Sequence, residues 1–85
     1  MKNKVFEIFD LAMKITNKTC HTVFVDYSGH INHISVRVFE GGWGGGKDPD
    51  MSIYFEVSEN EKIKADFIIQ YLEKLFRNKS KEMSL

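Results

Sequence analysis

Cysteine, proline and net charge are all scarce in this chain, and each scarcity closes off a class of explanation. The lone thiol, Cys20, has no partner within the 85 residues, so no internal disulfide can staple the fold, and a reducing compartment suits it. Twelve Lys and Arg are balanced by twelve Asp and Glu, which removes the basic excess that drives nonspecific binding to phosphate backbones. Apolar runs fall well short of the roughly 18 to 20 residues a membrane span needs. The N-terminal stretch carries Glu7 and Asp10 inside its apolar pattern, unlike the hydrophobic region of a secretory leader. The reading is a cytoplasmic protein with no membrane role. Linkers and internal repeats are lacking too, and a chain of this size buries only about 60% of the surface its unfolded form exposes. One domain over residues 1–85 follows, in which an enclosed active site would compete with the core for the same apolar side chains.

What is present is a clear change of periodicity along the chain. From Lys4 to Thr16 the apolar positions Val5, Ile8, Phe9, Ala12, Met13 and Ile15 recur at steps of three and four, the spacing of an amphipathic helix, with Asn3 as its cap. β-Branched and aromatic residues then dominate Cys20–Tyr27 and Ile31–Glu40, with the turn signal Ser28-Gly29 between them. Parity favours an even-numbered connection, since only that places Val23 and Val25 on the same face as Ile34, Val36 and Val38. Met51–Val57 alternates apolar and polar residues as a third strand. Ser58 and Glu61 have capping-box spacing, and Ile63, Phe67, Ile68, Leu72, Leu75 and Phe76 form the apolar stripe of a long second helix, fraying over residues 78–85. The expected fold is an α+β two-layer sandwich, α-β-β-β-α, with a three-stranded antiparallel sheet and both helices on one face. Meander order is the default, although the eleven residues Glu40–Asp50 are long enough to permit another.

The helices cover one sheet face and leave the other open. Alternation assigns Thr22, Phe24, Asp26, His33, Ser35, Arg37, Phe39, Ser52, Tyr54 and Glu56 to the open side. Aromatic residues grouped on an exposed, otherwise polar surface mark contact with a partner or a ligand, so Phe24, His33, Arg37, Phe39 and Tyr54 are expected to bind a partner. An aromatic sheet also suits stacking of single-stranded bases. Charge argues against that use: from Cys20 to Val57 two basic residues, Arg37 and Lys47, face five acidic ones, Asp26, Glu40, Asp48, Asp50 and Glu56.

Gly41–Lys47 matches the spacing G-x-x-x-x-G-K of a phosphate-cradling loop and follows a strand. Asp48 stands where the magnesium-binding hydroxyl belongs, Pro49 follows, and the next pattern is a strand, so no helix N-terminus points at a phosphate. A flexible inter-strand connection accounts for the glycines, with Asp48-Pro49-Asp50 as a turn. Trp43 in its midst either folds back onto the aromatic sheet face or reaches for a partner. His30 and His33, with Cys20 and His21 one strand earlier, invite a zinc reading, but residues three apart on a strand point to opposite faces, and no metal or other cofactor is expected. Cys20, His33 and Asp26 offer the residue types of a thiol nucleophile with its base, without any evident oxyanion hole, so no catalytic residue is assigned and the chain is read as non-enzymatic.

The stretch from His21 to Trp43, preceded by a short helix and followed by a strand and a helix, resembles small uncharacterised phage and prophage proteins of Gram-positive bacteria. The resemblance implies an accessory protein that binds a host or phage protein, and carries over no functional residue. The expectation is therefore a protein-binding domain acting through the open sheet face and the Trp43 loop, with a host or phage protein or a second copy as partner. A small-ligand or single-stranded nucleic-acid binder is the alternative, and a small cysteine-dependent enzyme is third.

Overall fold

A computed structural model describes the backbone of residues 1–83 and the side chains of residues 1–78. Its elements run α1 (Lys2–Lys18), β1 (Thr22–Ser28), β2 (His33–Phe39), β3 (Met51–Glu56), a 3-10 turn (Glu59–Glu61) and α2 (Lys62–Met83). The sheet is an antiparallel meander, β1-β2-β3. Of the tail expected to fray over residues 78–85, the backbone as far as Met83 continues α2, and residues 84–85 lie outside the described residues.

The hairpin connection is even, as parity requires. Ser28 pairs with His33 across the four residues Gly29–Asn32, which sets Val23 opposite Val38 and Val25 opposite Val36. Asn32 closes it in the left-handed region (φ +53°), where asparagine is tolerated better than most residues. Its carboxamide accepts a hydrogen bond from the Tyr27 hydroxyl (2.7 Å) and donates one to the Val57 carbonyl (3.0 Å), tying the loop to the end of β3.

The core lies between the helices and one sheet face. Ile8, Ile15, Ile34, Val36, Phe55 and Leu72 are fully buried there, and Val23, Val38, Met51 and Ile68 belong to the same cluster. The Lys4 ammonium joins Asp66 at 2.5 Å, bridging α1 to α2, and that hydrogen bond raises the lysine pKa.

Four local expectations are corrected. Asn3 is not the cap of α1: the helix begins at Lys2, and no side chain caps it. The helix also runs two residues past Thr16, ending where the Thr19 hydroxyl donates to the Ile15 carbonyl (2.6 Å). The Ser58–Glu61 capping box does not form, because the chain enters α2 through a 3-10 turn; Ser58 Oγ has no hydrogen-bond partner and Glu61 pairs with Lys64 instead. The inward stripes are rotated from those expected: Leu11 and Ile69 are buried, whereas Met13, Ile63 and Phe67 are exposed. Helix facing depends on where the sheet sits, and periodicity alone leaves that open by about one position.

The hydrogen-bond phase also identifies the free edge of the sheet. Val57 N–H donates to Asn32 C=O (2.8 Å), which makes His33–Glu56 a non-hydrogen-bonded pair. Ile34, Val36 and Val38 therefore bond toward β3, and Phe24 and Asp26 bond to β2, leaving the main-chain groups of Val23, Val25 and Tyr27 on the outer edge of β1. One of these is sealed: Val23 N–H donates to the Thr16 hydroxyl of α1 (3.0 Å).

Candidate functional site: the outward sheet face

Three strands place a diagonal band of rings on the face away from the helices. At one end Phe24 on β1 meets Phe39 on β2 edge to face (ring centroids 5.6 Å apart) and also meets Trp43 (6.3 Å). Arg37, directly opposite Phe24 in the register, lays its guanidinium over the Phe24 ring at 4.9 Å and reaches Asp26 at 3.6 Å. A cation over a ring and beside a carboxylate is held in a fixed orientation, so the middle of the band is charged yet ordered. Tyr54 on β3 lies one diagonal step from Arg37 and packs edge-on against His33 (4.7 Å) at the other end.

Exposure separates these residues into two groups. Trp43 (62% exposed) and Tyr54 (59%) stand out from the surface, whereas Phe24, His33 and Arg37 are half-buried. Phe39 differs from the expectation of an exposed ring: it is 3% exposed. The β2–β3 loop folds back beside it, and Phe24 closes over its edge, so Phe39 supports the band from beneath.

The fold-back has a specific construction. Glycines 41 and 42 take φ of +87° and +106°, a region costly for side chains, and a Cβ on Gly42 would lie 3.2 Å from the Cys20 carbonyl. Gly41 N–H donates to His21 Nδ1 (2.9 Å), Trp43 N–H to the Thr22 hydroxyl (3.2 Å), and Glu40 N–H to Asp50 Oδ2 (2.7 Å). Lys47 donates to the carbonyl of Glu40 (2.5 Å) and reaches that of Gly42 (3.4 Å). The lysine of the phosphate-loop spacing thus clamps its own loop. His21 and Thr22 carry no sequence signal for this role, because it arises only when a segment some twenty residues later returns to them.

Compared with protein-family models, with curated proteins and with solved structures, the chain matches none.

The remaining polar constellations do not assemble. Cys20 precedes β1 at the end where Thr22 pairs with Phe39, whereas His33 pairs with Ser28 at the opposite end, about 20 Å along the strand. The exposed Cys20 thiol instead lies 3.9 Å from His21 Nδ1, an atom already accepting from Gly41. Among the described residues no three His, Cys, Asp or Glu side chains come together as a metal site, and no helix is long and apolar enough to cross a membrane. His33 Nδ1 is buried beside Tyr54 without a hydrogen-bond partner, a polar atom left over on the band.

Proposed function

We propose that this chain is a cytoplasmic, non-enzymatic protein-binding domain whose outward sheet face is the recognition surface. The observation that carries this reading is the pair of exposed rings, Trp43 and Tyr54, set at the two ends of a band whose middle is locked by the Arg37–Phe24–Asp26 contacts. Large rings held at low conformational cost are the residue types that dominate binding energy at protein interfaces. Phe24 and Phe39 stiffen the platform, and the half-buried His33 ring backs Tyr54. Asp26 and Glu56 rim the band on the same face, so the fitting partner is a protein with an apolar patch bordered by Lys or Arg. A phage or host protein agrees with the resemblance noted above. The same acidic rim disfavours a single-stranded nucleic acid.

Affinity capture from bacterial lysate with wild-type, Trp43→Ala and Tyr54→Ser protein tests this. A protein retained by wild type at low salt and lost with each variant is expected; identical retention by all three, with unchanged far-ultraviolet circular dichroism, overturns the reading.

A further inference from the structure

The outer side of β1 is a second surface, adjoining the band at Phe24 and Asp26. We propose that this chain forms a two-fold symmetric homodimer in which β1 pairs antiparallel with β1 of a second copy, centred on Val25, beneath two crossing α1 helices.

Val25 and Tyr27 direct their N–H and C=O groups off the edge of the sheet, and the strand carries a single charge, Asp26, and no proline. An edge this long with so little charge is a template for another strand unless something blocks it. The Thr16 hydroxyl occupies only Val23 N–H. Pairing centred on Val25 retains that bond, since Val25 can bond its own counterpart twice and each Tyr27 N–H can reach the opposite Val23 carbonyl.

Side chains are self-complementary about the same centre. Toward the helices, Val23 meets Tyr27 of the second copy and Val25 meets itself, an apolar row. Between α1 and the sheet an open groove of about 370 Å³ starts beside Phe6, Phe9 and Tyr27 and runs inward past Ile34 to Val57, and a second of about 300 Å³ lies beside Phe9, Met13, Val23 and Val25. Helix α1 thus runs antiparallel to β1 with Phe6 over Tyr27, Phe9 at the middle and Met13 over Val23. The dyad through Val25 then sets Phe9 against Phe9 and Phe6 against Met13, so that rings at present 60% exposed (Phe6) and 54% exposed (Tyr27), and Met13 at 58%, become covered.

Charge selects a second copy over an unrelated strand. On the outward face the same register puts Asp26 opposite Phe24 of the other copy, whose ring already carries Arg37 at 4.9 Å. Each guanidinium then sits between two carboxylates, its own at 3.6 Å and the second copy's, and the arrangement occurs twice by symmetry. The edge of β3 lacks this match: a dyad at Tyr54 would place Glu56 opposite uncharged Ser52.

Sedimentation velocity across the micromolar range tests the proposal. Wild type is expected at twice the 9.9 kDa chain mass. Val25→Pro removes the central donor at a position where its N–H faces outward, as proline on an edge requires, and is expected to give monomer. Phe6→Lys and Met13→Glu each set a charge in the apolar seam and should weaken the dimer by about tenfold or more; combined, the two charges oppose each other across the dyad and restore it. Both side chains are largely exposed in the single chain, so these variants keep the fold even if Val25→Pro does not, as circular dichroism will show. A wild type at 9.9 kDa throughout overturns the proposal, as does a dimer indifferent to all three single substitutions or a double variant no tighter than the singles.

Discussion

Phe39 and Tyr54 share the outward face, yet they stand in opposite energetic positions. Phe39 is sealed beneath Phe24 and beside the glycine loop, so Phe39→Ala removes a packed ring and leaves a void, and is expected to cost about 3 kcal/mol in urea unfolding. Tyr54→Ala loses an exposed ring with one edge-on contact to His33 and should cost less than about 1 kcal/mol. Sequence alternation places both on one side of the sheet, because period two is a property of the strand itself. It does not distinguish them, since Phe39 is covered by a loop whose path depends on distant His21 and Thr22. Tyr71 offers a different test. Partial burial, with a hydrogen bond to the Glu40 carboxylate, raises its pKa well above the ordinary value near 10. The folded state thus holds the phenol proton where the unfolded chain has released it. The resulting stability is fully present below pH 10 and declines as pH rises toward the folded value. Thermal unfolding midpoints should fall more steeply above pH 10 in wild type than in Tyr71→Phe.

Elements differ in how much of their structure is local. Strand pairing was legible because the valines at 23, 25, 36 and 38 admit only one parity of connection, and the observed four-residue loop is of that parity. Loop closure was not, as Asn32 acts through a left-handed backbone and bonds to Tyr27 and to Val57 just past the end of β3. Asn32→Ala should cost about 1 to 3 kcal/mol, with Asn32→Gly milder because it restores only the backbone freedom; urea titration of both separates the hydrogen bonds from the dihedral strain. The helices were legible as helices but misfaced at Met13, Ile63 and Phe67, which each lie at the margin of an apolar stripe. Ser58 and Glu61 have the right spacing for a reciprocal cap, yet they meet through the main chain of the 3-10 turn, Glu61 N–H donating to the Ser58 carbonyl (3.1 Å), while the Glu61 side chain turns to Lys64.

Across the whole molecule, charge is distributed unevenly despite a net of zero. The sheet and its loops are acidic and the helical segments carry the balancing basic residues, so association through the outward face should weaken with added salt when the partner's rim is basic. The sole indole reports on that face. Trp43 is 62% exposed, so acrylamide should quench it efficiently in the free protein and poorly in a complex; quenching unchanged by a bound partner would place the contact elsewhere. The loop bearing it divides its duties between its ends and its tip. Glycines 41, 42 and 46 hold backbone angles that other residues adopt at a cost, while a side chain added at Gly44 or Gly45 would meet nothing within 4 Å. Positions 43–45 therefore form a substitutable tip between backbone-constrained hinges. A randomised library there should yield folded members with altered specificity, whereas diversity at 41 or 42 should be purged by selection for expression alone.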